Sequence, residues 1–592
     1  MIFLGVNLSH ISSACLMVNG KIIIAAQEER FTKKKNFTGY PKKSIDYILR
    51  FLKKEKLKID YIAFASQFAS AWGYMIPHTH YFTIQDYKNY YGDEYYGKKL
   101  NNKSTDQYVK ALINDKRNNL DLYMNFKKYK NKKDYYNAEL WKKDLTNFIH
   151  AQTKVDKDKI LFINHHDCHA YYAYFASIKK FTKCAVITLD SAGDYLNQTV
   201  WVAKQDKQVL HKIAETGECD IARIYKLTTL FLSMKPDEHE YKTMGLAAYA
   251  KRKYANEVYE KVYKNLLKVE NCKVLRKNKT NDLYKYLKNK LEPYRFDNIA
   301  GGLQIMVEEI SKKLFTQIHK RTKLENFALS GGVSMNIKNN KIISELPFVK
   351  KLFVPASGGD DSLSIGACYY LAKLNSKPLK NIYLGYNLSE DLNSTVLLKS
   401  FKRSKFKVTN KVKPNYIAKL LKDGKIIAIA RGREEFGARA LGNRSIIANP
   451  SNLDCVKEIN EAVKNRDFWM PFALTVLADK QKKIIFNDKE IECDYMTIGF
   501  DTKKDFVHNI KAGVHPYDLT VRPQILKKES NEKYYNLINS FYKMTGIPAV
   551  LNTSLNLHGS PISSSLKDVI NTFKVSGLKY LYLEDQYLIE KK

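Results

Sequence analysis

The run NHHDCHA places His165 and His169 four residues apart. It follows an apolar strand pattern and opens a helix-like stretch, HAYYAYFAS, so the two imidazoles share one helix face. Such a pair is a ready chelate for a metal ion; the competing reading is a solvent-facing or capping pair. Two carboxylates bear on the choice. Asp190 ends the apolar run AVITLD, and Asp360 stands in SGGDDSLSIGA after KLFVP. Carboxylates at strand C-termini face the crevice in which α/β sheets bind ligands. Two histidines with two aspartates suit iron(II), manganese or zinc.

Two further groupings carry chemistry. Gly331-Gly332, in FALSGGVSMN, separates a strand from a helix, and Gly358-Gly359 repeats the device. Glycine lets a backbone approach a nucleotide, and a helix N-terminus favours phosphate; the same turn also serves as a plain tight connection. The segment RGREEFGARALGNRS then clusters Arg431, Arg433, Arg439 and Arg444, followed by Lys464, Arg466, Arg522 and the run NTSLN at Asn552–Asn556. Fixed cationic forks with hydroxyl and amide donors suit an acyl phosphate dianion. The alternative is a solvated basic surface, against which stand the flanking glycines and the preceding apolar strand IIAIA. The run GDEYYGKK at 92–99 imitates a phosphate loop but lacks the final Ser/Thr and follows no buried strand, so it is set aside.

The elements that position these residues are legible from periodicity. Ile2–Val6, Ala14–Val18 and Lys21–Ala26 read as strands, the last two joined by an Asn19-Gly20 hairpin turn. Pro41 opens a helix with Ile45, Ile48, Leu49 and Leu52 on one face, and Ile59–Ala65 returns as a strand. From about Tyr81 to Leu140 the chain turns to Tyr, Asn, Lys and Asp with weak apolar periodicity. That segment reads as a partly helical insertion over the surface of the first domain. Strands resume at Ile160–Asn164, Ala185–Leu189 and Phe327–Leu329, with a helix striped by Leu303, Met306, Val307, Ile310, Leu314 and Ile318. A polar break at Ser376-Lys377-Pro378 separates a second α/β region, and no internal repeat is visible.

With 592 residues the chain exceeds one ordinary domain. It has 99 Lys+Arg against 61 Asp+Glu, a net charge of +38. The excess is mostly dispersed lysine without an aromatic-interleaved stripe, which argues against a specific nucleic-acid partner. Its 8 cysteines form no CxxC pair, which fits reduced thiols rather than a zinc ribbon. No apolar run approaches ~18 residues, and the start MIFLGVNLSH reads as a strand rather than a signal peptide. The expected location is cytoplasmic, with no membrane association.

Taken together, the motifs resemble the O-carbamoyltransferase family of nodulation and antibiotic-tailoring enzymes. AAQEERFTKKKN, NHHDCHA, EYKTMGLAAYA, LSGGVSMN, GGDDSLSIGA, EFGARALGNRSI, NRDFWMPFA, TVRPQ, TGIPAVLNTSLN and GSPI occur in family order from Ile2 to about Glu590. The resemblance implies an α/β protein of two domains. Residues 1–376 would form an actin/Hsp70/sugar-kinase-like carbamoyl-transfer domain, and 377–592 a YrdC-like, doubly wound domain that makes carbamoyl adenylate. It implies carbamoyl phosphate, ATP with magnesium and a small-molecule hydroxyl acceptor as substrates, and a divalent metal with iron(II) favoured; a homodimer is the candidate assembly. Residue by residue, His165, His169, Asp190 and Asp360 match the metal positions, and His10 in LSHISSA matches the base at the acceptor hydroxyl. Arg439, Lys464, Arg522 and Ser554 match the carbamoyl phosphate pocket, and Gly331, Gly332 and Asn336 the nucleotide turn.

The chain departs from the family pattern in four places. His10-Ile11-Ser12-Ser13-Ala14 replaces H-D-A-S-A, Ala438 replaces a proline, Met470 replaces a frequent arginine, and Ser560 a frequent glutamate. A tRNA threonylcarbamoyl-adenylate or transfer enzyme and a non-catalytic nucleotide-binding regulator are the competing readings.

Overall fold

The computed structural model describes residues 1–592 apart from 72–80, 116, 118–128, 130–131, 178–182, 205–208, 279, 393–396, 398, 403 and 468. Part of the expected insertion, and Phe468 of the NRDFWMPFA run, therefore lie outside the described residues. The chain divides into two compact units, Met1–Leu379 and Lys380–Lys592.

The first unit opens with the antiparallel strands β1 (Ile2–Asn7), β2 (Ser13–Val18) and β3 (Lys21–Gln27). The β2–β3 turn is Asn19-Gly20, both at positive φ (48° and 77°), the conformation that Asn-Gly turns favour because it matches strand twist. Helix α1 (Lys42–Lys54) buries Ile45, Ile48 and Leu52. The carboxylate of Glu28 caps its first turn, accepting from the Lys43 and Ser44 backbone N–H at 3.1 and 2.8 Å. Strands β4 (Tyr61–Phe64) and β5 (Ile160–Phe162) add in parallel beyond β1, giving the order β3-β2-β1-β4-β5.

Helix α2 (His165–Ser177) leads to a second sheet. Its members are β6 (Cys184–Gly193), β7 (Leu196–Lys204), β8 (Val209–Thr216), β9 (Asn326–Ser330) and β10 (Lys351–Phe353). Its order is β8-β7-β6-β9-β10, with β6, β7 and β8 antiparallel and β9 and β10 parallel to β6. The two sheets thus share one topology, a repeat of strand order that the sequence does not show. Two such sheets in one unit form the actin/Hsp70/sugar-kinase-like architecture. Helix α3 (Phe296–Thr322) precedes β9 and buries all six of its predicted stripe residues. Helix α4 (Leu363–Ala372) follows β10.

The crossing helices interlock the halves. Helix α2 leaves the first sheet but packs on β6, β7 and β9 of the second, whereas α4 leaves the second and packs on β1, β2 and β4 of the first. They also pack on each other, where Gly366 is needed: a Cβ there would run into the backbone of Cys168.

In the insertion, Ile84–Tyr91 and Asp106–Ile113 are helical. Tyrosines supply much of its buried surface, with Tyr87, Tyr95 and Tyr135 at 1–2% exposure beside buried Val109 and Leu112. This large share of aromatic burial explains why its apolar periodicity looks weak in sequence. The run 93–97 is a helical turn with π-type hydrogen bonding, not a phosphate loop after a strand.

The second unit holds one eight-stranded sheet. Its strands are β11 (Phe406–Thr409), β12 (Ile427–Ala430), β13 (Arg444–Ala448), β14 (Ala473–Leu477), β15 (Pro523–Leu526), β16 (Ala549–Ser554), β17 (Tyr580–Leu583) and β18 (Tyr587–Lys591). The order is β11-β18-β17-β12-β13-β16-β14-β15. Only β12 with β17 and β14 with β15 pair in parallel; the other neighbours are antiparallel. The unit is α/β, but its sheet is mixed rather than doubly wound and parallel. Short connections such as that from β17 to β18 force antiparallel neighbours. Among the described residues no helix is long and apolar enough to cross a membrane.

Candidate functional site

In the first unit, the N-terminus of α2 is fixed by two side chains. Asp194 accepts from the His165 backbone N–H at 2.7 Å, and Asn164 from that of His166 at 3.0 Å. One helical turn then brings the His165 and His169 rings to a centroid distance of 4.8 Å. Their Nε2 atoms face Asp190 Oδ2 at 3.4 and 2.9 Å and Asp360 Oδ1 at 3.6 Å each. One ligand atom from each of the four residues lies within 4.8 Å of the others. The structure thus assembles a helix, the end of β6 and the turn after β10 into one donor set.

The surroundings fit a divalent ion. Ser330 Oγ donates to the Gly358 carbonyl at 3.3 Å, so it is free to accept from His169 Nδ1 at 3.1 Å. That leaves the Nε2 lone pair of a neutral ring facing the carboxylates. Burial alone would lower the His169 pKa, but hydrogen bonds and charge from Asp190 and Asp360 raise it to about 9. Asp190 is pushed up by burial yet held well below the usual carboxylate range by His165 and His169. A proton on His169 therefore occupies the place a cation would take. Cation binding displaces that proton, so affinity is expected to weaken as pH falls below about 9. His169→Ala is expected to weaken metal binding by ~10-fold or more. Elemental analysis of the two proteins and titration at two pH values check both statements; equal metal content would remove the assignment.

The glycine turn lies in the same neighbourhood. Gly331 has φ +90°, donates its N–H to the Gly358 carbonyl at 2.7 Å, and leaves no room for a Cβ against the Leu189 backbone. A Cβ on Gly332 would come within 3.2 Å of Asp190 Oδ1. Asn336 is engaged differently: its Oδ1 caps the helix Ile337–Glu345 and its Nδ2 donates to Gln304 at 2.9 Å. His10 lies on the loop from β1 to β2, beside Ser9, whose hydroxyl donates to Asp360 Oδ2 at 2.8 Å. Ser9, Ser330 and Asp194 were not predicted. A lone serine, or an aspartate in a turn, has no spacing signal.

In the second unit, Lys464 is 3% exposed. Its ammonium donates to Ser554 Oγ at 3.1 Å and to Asn556 Oδ1 at 2.6 Å. Arg466 donates to Thr553 Oγ1 at 2.9 Å and stacks over Phe472 at 4.8 Å. The registers draw the other predicted cations to the same end of the sheet. Arg522 directly precedes Pro523, which pairs with Leu474, and Ala473 pairs with Asn552. Arg439 directly precedes Ala440, whose carbonyl accepts from Asn552 Nδ2 at 3.1 Å.

The rest of the arginine cluster serves the fold. Arg431 pairs with Asp585 at 2.5 Å and stacks over Tyr534. Arg433 donates to the Gly385 carbonyl at 3.2 Å. Arg444 is fully buried and donates to the carbonyls of Ser564, Arg431, Asn443, Tyr386 and Gly432. Glu435, which sequence reasoning missed, accepts from the backbone N–H of Leu441, Asn443 and Arg444 and so shapes the loop that carries Arg439. Arg444→Leu is expected to destabilise the protein by about 3 kcal/mol or more, because each buried hydrogen bond to a charged donor contributes about 1.5–3 kcal/mol. Chemical denaturation measures the loss, and metal content should be unchanged.

The eight cysteines are buried and unpaired.

Comparison with known proteins bears on both units. The family model described as carbamoyltransferase N-terminus matches residues 2–369, and that described as carbamoyltransferase C-terminus matches 418–591. An uncharacterized protein of Methanocaldococcus jannaschii is 30% identical over 99% of this chain and 99% of its own length. Nodulation protein NolNO of Sinorhizobium fredii is 26% identical over 98% of this chain and 79% of its own length. A crystal structure of full-length HypF in the phosphate- and nucleotide-bound form aligns with 63% of this chain and 55% of its own at 12% identity and a TM-score of 0.31. With matched N- and C-terminal models along its length, the chain belongs to the carbamoyltransferase family and is a carbamoyltransferase.

Proposed function

We propose that this enzyme is an ATP-dependent O-carbamoyltransferase acting on a hydroxyl of a sugar or other polyhydroxylated metabolite. The reading is carried by one observation: both family models match in a single chain, and each matched region presents its own charged centre. In the second unit, YrdC-like in role, Arg439, Lys464, Arg522 and Ser554 hold carbamoyl phosphate beside ATP and its magnesium. Water cleaves carbamoyl phosphate to carbamate and phosphate. A carbamate oxygen then attacks the α-phosphorus of ATP and expels pyrophosphate, giving carbamoyl-AMP.

In the first unit, Gly331 and Gly332 let the backbone approach the adenylate, with Asn336 shaping the following helix. His10 takes the proton of the acceptor hydroxyl as its oxygen attacks the carbamoyl carbon, and AMP leaves. Imidazole suits this role because it titrates near neutrality. His165, His169, Asp190 and Asp360 would hold the divalent metal, for which iron(II) is favoured; when bound, it supplies Lewis-acid charge beside the reacting groups.

The test is incubation of a candidate metabolite pool with enzyme, ATP and labelled carbamoyl phosphate. A labelled product one carbamoyl group heavier identifies the acceptor by mass spectrometry. The tRNA reading predicts instead turnover with threonine, bicarbonate and tRNA.

A further inference from the structure

We propose that Ser9 is a positioning residue that joins the metal-ligand turn to the loop carrying His10, so that cation capture and placement of the base are one event. The proposal rests on the assignment of His165, His169, Asp190 and Asp360 as cation ligands.

The four ligands are not equally supported. His169 is backed by Ser330 through Nδ1, and Asp190 accepts from the Ser191 backbone N–H at 2.6 Å through its second oxygen. His165 sits on the first turn of α2, fixed by Asp194. Asp360 is the most open, its side chain 17% exposed against 0–8% for the others. Among the described residues, its outer hydrogen-bond partner is the Ser9 hydroxyl at 2.8 Å, on Oδ2. Oδ1 is left facing the two imidazoles. An ionised ligand with two oxygens needs one anchored if the other is to meet a cation in fixed geometry.

Ser9 has one hydroxyl proton and two acceptors in reach, Asp360 Oδ2 at 2.8 Å and Asn7 Oδ1 at 2.7 Å. The carboxylate is the stronger acceptor because it is charged. Asn7 Oδ1 is already served by the Ser9 backbone N–H at 3.0 Å. The proton is therefore assigned to Asp360.

The loop from residue 8 to residue 12 has little other freedom. At its far end Ser13 Oγ donates to the Asp361 carbonyl at 2.5 Å and meets Ser364 Oγ at 2.8 Å. Ser9 and Ser13 thus straddle His10, and both grip the turn that begins at Asp360. Leu8 and Ser12 are pinned to Gly39 and Phe37 by backbone hydrogen bonds of 2.9 and 2.8 Å. Between them Ile11 is held at φ +55°, a conformation that β-branched residues adopt only where the surroundings impose it. Of these ties, the one from Ser9 alone reaches a ligand side chain. It is the joint through which a cation on Asp360 stiffens the segment that presents His10.

The test uses the full chain with manganese(II) as probe, and compares wild type, Ser9→Ala and Ser9→Thr. Chelator competition measures affinity, and amide hydrogen exchange measures protection at residues 8–12 with and without the ion. Wild type should show slower exchange at 8–12 when manganese(II) is bound. Ser9→Ala should bind about 10-fold more weakly or worse and lose that ion-dependent protection. Ser9→Thr, which keeps the hydroxyl, should retain both. Unchanged affinity in Ser9→Ala overturns the proposal, as does a wild type whose loop exchange ignores the ion. A purely structural serine would lower thermal stability in Ser9→Ala with affinity intact. Failure of wild type itself to bind manganese(II) would remove the cation assignment, and the proposal with it, and is seen before any variant is examined.

Discussion

His10→Ala is expected to lower carbamate-ester formation by about 10²–10⁴-fold while pyrophosphate release continues without acceptor. The two outcomes separate because the two half-reactions make different demands. Activation needs a held dianion, and the candidate groups for it, Arg439, Lys464, Arg522 and Ser554, all lie in Lys380–Lys592. Transfer needs a base at the acceptor hydroxyl. His10 stands on the loop from β1 to β2, next to the serine that touches Asp360. Loss of the imidazole removes the proposed proton acceptor and leaves the groups proposed to hold carbamoyl phosphate in place. Both products are measured side by side, pyrophosphate by a coupled assay and the ester by mass spectrometry. Normal ester formation by His10→Ala would take the base role away from this residue.

Lys464→Met is expected to reduce carbamoyl-phosphate-dependent pyrophosphate release by roughly 30- to several-thousand-fold, with ester formation falling in step. The basis is the cost of leaving one partner of a buried charge pair unmatched, about 2–5 kcal/mol. Lys464 is 3% exposed, and its ammonium gathers Ser554 and Asn556, so one substitution removes a cation and leaves two acceptors without their donor. Methionine is chosen because it keeps the chain volume and so spares the packing. Arg439→Ala and Arg522→Ala should weaken the same step and leave metal content untouched. A Lys464→Met enzyme that still forms carbamoyl-AMP at the wild-type rate would place the dianion elsewhere.

The residues of the first centre were legible because each part of its signal is local. A four-residue spacing on a helix and an aspartate closing an apolar strand are patterns of a few residues, and folding brought all four together. The second centre was legible only in part. Four arginines in one short segment look alike in sequence, yet Arg444 is spent on backbone carbonyls and Arg431 on Asp585. Which guanidinium stays available depends on the carbonyls that surround it, and those come from distant segments. Asn336 shows the same limit, since its amide caps a helix. The Tyr-rich insertion, read as partly helical, does hold helices, but its signal is faint. Much of its buried surface is tyrosine, so an aliphatic periodicity count undervalues its helices. Repeated strand order escaped notice because topology is set by pairing and crossover rather than by matching letters.

The exchanged helices of the first unit have a consequence for the independence of its halves. Each five-stranded half sends the helix after its last strand onto the other half's sheet, as α2 and α4 do. Two separate copies of such a half would trade that helix between them, which is the arrangement of a domain-swapped dimer. Joined in one chain, neither half can lose its helix without uncovering the other half's sheet. The donor set is split across the same trade: one half's helix supplies the imidazoles, the other half's β6 and the turn after β10 supply the carboxylates, and neither half holds a complete set.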